Sequence, residues 1–213
     1  MRNILNYQSS EYDCGPTSLV NALRYLFDRE QLPPELLRAI TLYTLDAFND
    51  RGEIGKFGTS RMAMQFLSNW FGEYGRTHAF PLSSAFLTES DVTVSQNSEL
   101  VSALQLGGAA VVRCYLGGDP HYVLLTGIRE DEISLFDPYW CDGDALLRDE
   151  RTLQGTVRVL DDPFRANRAV RAAALNAPGL TNYSLGAFCV REAMLLFNED
   201  AKKQNESSLD FVI

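Results

Sequence analysis

The sequence predicts an α+β domain in which N-terminal helices pack on an antiparallel sheet. Apolar residues recur at helical spacing as far as about residue 71, and from about residue 109 short apolar runs alternate with turn sequences. Composition agrees. A chain of 213 residues with 46% hydrophobic and 22% charged residues has length and apolar surface enough for one core, and it does not have the make-up of a disordered chain.

Leu19, Val20, Leu23, Leu26 and Phe27 form one face of a helix predicted from Pro16 to Asp28. Pro16 suits its first turn, where a missing N–H costs nothing. Pro33-Pro34 introduces a second helix, predicted over Glu35 to Ala47. Residues 49–58, NDRGEIGKFG, read as a loop. Thr59 or Ser60 then caps a third helix running to about Phe71, with Met62, Phe66 and Trp70 on one stripe and Ala63, Leu67 and Phe71 beside it.

Residues 88–99, TESDVTVSQNSE, predict a short strand between polar turns, and a brief helix from Glu99 to Leu106 stops at Gly107-Gly108. Strands are predicted over Ala109–Leu116, His121–Ile128 and Glu132–Asp137, joined by GGDP and REDE, and again over Thr156–Leu160. Residues 165–175 suit a helix, 185–197 suit either a strand or a helix, and the polar tail frays from about 199. The organisation expected is a domain over 1–160, with 161–213 as a C-terminal extension packed on it.

Several function classes are excluded. With 19 Lys+Arg against 28 Asp+Glu the net charge is −9, whereas nucleic acid and anionic membrane both ask for a positive surface; neither is an expected partner. The charge also hints at a basic peptide as substrate. The N-terminus has one Arg and no apolar stretch of signal-peptide length. Runs such as Ala193 to Phe197 fall far below the ~20 residues of a membrane span. The expectation is a cytoplasmic protein. Cys14, Cys114, Cys141 and Cys189 are too few and too scattered for a disulfide framework and read as reduced thiols. No CxxC, HxxxH or carboxylate–His cluster offers a metal site. The glycines at 52, 55 and 58 fail as a phosphate loop, because Lys56 is followed by Phe57. Neither metal nor cofactor is expected.

Cys14 stands apart from the other thiols. It immediately precedes Gly15-Pro16 at the start of the first helix, where unpaired N–H groups and the helix dipole favour a thiolate. The same position also suits an inert, half-buried Cys. A hairpin turn centred on Arg129 would set His121 opposite Asp137, Val123 opposite Leu135 and Leu125 opposite Ile133, all on one face and ~5 Å apart at Cβ. An imidazole held by a carboxylate beside a buried surface is what an oriented base requires, although a structural His–Asp pair has the same form. Gln8, in the loop before Cys14, has a side-chain amide able to donate to an oxyanion together with the Cys14 N–H. The other histidine, His78, is followed by Ala79-Phe80-Pro81, reads as a strand-edge residue and has no carboxylate in matching register. Tyr139 and Trp140, directly after Asp137-Pro138, suit either the lining of a substrate cleft or, the favoured reading, rings packed on the core.

The stretch QSSEYDCGPT from Gln8 to Thr17, then His121-Tyr122-Val123 and Asp137-Pro138, resembles the bacteriocin-processing cysteine peptidase family, which cleaves leader peptides after a double glycine. The resemblance spans roughly residues 5 to 140 and takes in Gly58-Thr59-Ser60. It implies a papain-like fold with Cys14 as nucleophile, His121 as general base, Asp137 as its orienter and Gln8 as oxyanion donor. The best-known members continue into membrane-spanning and ATP-binding parts that this sequence does not contain. The expectation is therefore a free-standing thiol hydrolase acting on a peptide or acyl substrate. An acyltransferase using the same triad, or a retired relative that binds peptide without cutting it, are the alternatives.

Overall fold

The computed structural model describes residues 3–202, and helices lead into an antiparallel sheet as an α+β chain requires. Helix α1 spans Cys14–Leu26, with Asp13 at its N-cap position. It begins two residues before the predicted Pro16, which brings Cys14 into its first turn. The Asp13 carboxylate accepts from the backbone of Ser9 and Ser10 and from the Ser10 hydroxyl, tying the preceding loop to the helix start. Helix α2 covers Pro34–Tyr43 and buries Leu36, Ala39 and Ile40.

Helix α3, Arg61–Thr77, starts behind Ser60, whose side chain accepts from the Ala63 N–H. Its buried stripe is Ala63, Met64, Leu67, Phe71 and Tyr74. The expected stripe of Met62 and Phe66 faces outward instead, with Met62 80% exposed. Two apolar stripes compete on this helix, and the docking of its C-terminal half decides between them. A Cβ on Gly75 would lie 2.0 Å from the Leu82 carbonyl oxygen, so α3 meets the following strand backbone to backbone. Gly75→Ala should therefore cost about 3 kcal/mol by overpacking, measurable as a lower denaturation midpoint.

That strand, β1 (Leu82–Thr88), was not expected from the sequence. The strand predicted within 88–99 is instead a helical turn, Glu89–Asp91, and a loop leading to α4 (Glu99–Gln105). Val92 and Val94 are nonetheless buried. The Asn176 side chain accepts from the Val94 N–H and donates to the Val94 carbonyl, so an amide takes the place of a partner strand.

Strand β2 (Ala109–Leu116) turns through Gly117-Gly118, both at positive φ, into β3 (Asp119–Arg129), and β4 is Glu132–Phe136. Helix α5 (Gly143–Arg148), β5 (Val157–Asp162), β6 (Ala166–Arg171), the single turn α6 (Ala172–Leu175) and β7 (Glu192–Asn198) follow. Residues 165–175, which suit a helix by composition, are thus mainly strand. Ala166, Arg168, Ala169 and Arg171 sit in β6, between β4 and β5, while Ala172–Leu175 form the one helical turn. The sheet has seven strands in the order β1-β7-β2-β3-β4-β6-β5, every pair antiparallel. Residues beyond 160, expected as an extension, supply β5's last residues and all of β6 and β7, and β7 lies between β1 and β2.

Both faces of the sheet are covered. One carries Leu19, Leu23, Leu67 and Phe71 of the first helices on Leu124, Phe136 and Met194. The other packs Leu100 and Leu104 of α4 on Val112, Val123, Leu135 and Leu195. Covered on both faces, β2, β3 and β7 read as near-continuous apolar runs. In the β3–β4 hairpin Leu125 pairs with Leu135, and past a bulge at Thr126 Ile128 pairs with Ile133. On the His121 side of the bulge the register differs by two residues from the expected one. A two-residue slip keeps each side chain on its face, so His121 and Asp137 become diagonal neighbours rather than direct opposites. Among the described residues no helix is long and apolar enough to cross a membrane. Residues 199–202 continue as a helical turn, and the rest of the tail expected to fray lies outside the described residues.

Candidate active site

The first turn of α1 is held from two sides. A Cβ on Gly15 would stand 2.7 Å from the Thr59 hydroxyl oxygen and 3.5 Å from the Tyr122 ring, so only glycine lets the turn seat between the loop before α3 and β3. Ser18, one turn further on, donates to the Tyr122 carbonyl at 3.1 Å. Cys14 is consequently fixed against β3 and is buried, 8% exposed.

His121, near the start of β3, is the cross-strand neighbour of Cys114. Its Nε2 lies 2.7 Å from Asp137 Oδ1, and the Cys14 thiol is near enough to interact electrostatically with the imidazole. With Nε2 engaged by the carboxylate, Nδ1 is the nitrogen left for sulfur. Burial pulls the His121 pKa down, but the charge of Asp137, its hydrogen bond and the Cys14 contact outweigh this and push it up to about 10. At neutral pH the ring is an imidazolium.

Asp137 is fully buried. Besides His121 it accepts from the Tyr139 N–H on Oδ1 and from the Tyr183 hydroxyl on Oδ2, both at 2.8 Å. Asn167 brackets its backbone, accepting from the Asp137 N–H and donating to its carbonyl, each at 2.8 Å. The buried Arg168 guanidinium, bonded to the Asn167 and Cys141 carbonyls, is near enough to interact electrostatically with the carboxylate. The carboxylate is thus held by three donors from three separate stretches of chain.

Gln8 is anchored by its N–H to the Pro138 carbonyl, which brings the N-terminal loop beside the Asp137-Pro138 segment. Its Nε2 donates to the Ser10 carbonyl at 2.7 Å, and its Oε1 is buried without a hydrogen-bond partner. Gln8, Cys14 and His121 line one cleft of about 780 Å³, and Asp137 stands behind His121. The four residues singled out in the sequence are therefore together. His78 is elsewhere, at the C-terminal end of α3 rather than on a strand edge, with its ring stacked on Tyr74 at 4.1 Å. Tyr139 lines the cleft, the alternative the sequence offered, with its ring edge-on to His121, whereas Trp140 is 69% exposed; neither ring follows the favoured core reading.

Sequence reading missed Tyr183, Asn167 and a charged row formed by Arg61, Arg113 and Glu192 in the same cleft. No spacing rule relates residue 183 to 137; only the placement of the later strands does. Tyr183→Phe removes one donor from a fully buried carboxylate. It should lower stability by about 1–2 kcal/mol and slow any reaction that depends on the His121 orientation by about tenfold. Thermal denaturation and initial rates check the two parts separately.

No family model matches the chain, and no curated protein matches it. Among solved structures it is similar to the crystal structure of the peptidase domain of Streptococcus mutans ComA. The two share 13% sequence identity with a TM-score of 0.33, over 64% of this chain and 79% of that one.

Proposed function

We propose that the chain is a papain-like cysteine hydrolase that cleaves a peptide or amide bond. The observation that carries this reading is the meeting, at one cleft, of the Cys14 thiol and the His121 imidazole, the latter bonded to a buried Asp137 that two further donors hold. In this reading the Cys14 sulfur attacks the carbonyl carbon, forming the C–S bond as the carbonyl π electrons move to oxygen. The Cys14 N–H donates to that oxyanion. Gln8 Oε1 has no hydrogen bond to lose, so only the Ser10 contact opposes the rotation that turns Nε2 onto the oxyanion as well. Collapse breaks the C–N bond while His121 gives its proton to the leaving amine. Water, deprotonated by His121, then hydrolyses the thioester and restores Cys14.

An acyl adduct on Cys14 is the decisive intermediate. The protein is incubated with a mixture of synthetic peptides, quenched in acid and mapped by mass spectrometry. An adduct on Cys14 that water discharges supports hydrolysis. An adduct discharged only by an added amine assigns acyl transfer instead. Peptide binding with no adduct, undiminished in Cys14→Ala, would overturn both in favour of a peptide-binding protein.

A further inference from the structure

The cleft floor beside Cys14 carries an unbalanced charge. Arg113 on β2 is registered against Tyr122 on β3, and one step beyond the Val112–Ala193 pair places Glu192 of β7 on its other flank. All three line the cleft. Glu192, 2% exposed, has both oxygens occupied: the Arg61 Nε donates to Oε2 at 2.6 Å, and the Tyr122 hydroxyl donates to Oε1. That carboxylate is neutralised.

Arg113 is not. Its half-buried guanidinium donates to the Val190 carbonyl at 3.2 Å and lies 5.2 Å from the Tyr115 ring centroid. Among the described residues no carboxylate forms an ion pair with it. A guanidinium has five donors in a planar fork suited to a carboxylate, and most of these remain unused. The other charges lining the cleft do not answer it. Lys56 is tied to Glu53, and Glu11 and Asp119 are exposed at the mouth. Among the described residues Arg113 is therefore a guanidinium on the cleft lining that no carboxylate pairs, in a chain of net charge −9.

We infer that Arg113 is a specificity residue that receives a carboxylate of the substrate, an acidic side chain or a chain terminus, near the scissile bond. The inference rests on Cys14 as nucleophile, and it reverses the basic substrate that net charge alone suggests. Local charge at the floor governs recognition because burial weakens screening there, while exposed charges are screened over about 10 Å.

Thiol-directed probes separate the two assignments. N-iodoacetyl-glycine and N-iodoacetyl-β-alanine carry a terminal carboxylate. The α-amides of N-iodoacetyl-aspartate and N-iodoacetyl-glutamate carry a side-chain carboxylate. Iodoacetyl-glycinamide and the α-amide of N-iodoacetyl-asparagine are the neutral references. Labelling rates at Cys14 are followed by mass spectrometry in the wild type, Arg113→Gln and Arg113→Lys, each referred to the neutral reagents in the same protein. The expected result is a preference of about tenfold for at least one carboxylate class, matching a charge-assisted hydrogen bond. That preference falls at least about threefold in Arg113→Gln and is intermediate in Arg113→Lys. Whichever carboxylate class shows it identifies the source. A preference absent in the wild type, or unchanged in both variants, overturns the inference. Neutral reagents labelling Cys14 no faster than Cys189 at about pH 6 would instead sink the nucleophile on which it rests.

Discussion

Cys14→Ala should lower amide hydrolysis by about 10⁴-fold or more with a stability change of only about 1 kcal/mol. The asymmetry follows from where the sulfur lies. It is one small buried group at the rim of the helix-side core, so its removal leaves little empty volume. In the proposed chemistry, however, it supplies the bond on which every later step depends. The remaining thiols are controls with unlike surroundings. Cys189 is exposed, whereas Cys114 is buried and its thiol pKa is pushed well up, first by burial. Cys189→Ser should leave the rate unchanged. Rates and denaturation midpoints of the variants, measured side by side, check this.

Asp137→Asn isolates charge from geometry. An amide oxygen still accepts from His121 and the Tyr139 N–H, and the Tyr183 hydroxyl can turn to accept from the amide. The packing therefore survives while the negative charge is lost. Burial, which already pulls the His121 pKa down, is then opposed chiefly by the weaker Cys14 contact. The His121 pKa falls, and the imidazolium that must form to hand a proton to the leaving amine loses the charge that stabilises it. A fall in rate of about 10³-fold is expected, within the range seen when such an orienting carboxylate is neutralised.

The same substitution has a signature in stability. The His121 pKa is about 10 in the folded chain and about 6.5 in an unfolded one. A folded pKa raised in this way stabilises the protein fully below pH 6.5, and the contribution is lost as pH rises towards 10. The wild-type denaturation midpoint should fall across that window, and Asp137→Asn should flatten the fall. In the wild type the rate should persist to about pH 9 and decline through about 10, as His121 loses its proton.

How much of this was legible depends on what each residue answers to. Helix α1 and strands β2 to β4 follow from local pattern: a Pro in the first turn, apolar runs, and Gly-Gly at a two-residue turn. Strand β1 did not. LSSAFLT carries no strong period, and it is a strand because β7, more than a hundred residues later, pairs with it. The same cause hid the roles of β6 and β7. It also hid Tyr183, whose hydroxyl reaches Asp137 only because the later chain returns to the sheet. Cys14, Gln8 and the His121/Asp137 pair were visible because each is near a readable local feature, a helix start or a hairpin. The exact hairpin register was not, since the bulge at Thr126 leaves no mark in composition. The outward stripe of α3 shows the limit of periodicity. Where two apolar faces compete, the backbone contact at Gly75 chooses, and one missing Cβ is hard to weigh in advance.

Alkylation of the four cysteines by iodoacetamide at about pH 6, where ordinary thiols are protonated, bears most directly on Cys14 as an activated nucleophile. Exposure alone would favour Cys189, which is at the surface, over the buried Cys14. The proposed pairing with His121 reverses that order, so Cys14 should be modified first and by a wide margin, with the margin lost in Asp137→Asn. Labelling of Cys14 at or below the rate of Cys189 in the wild type would contradict it.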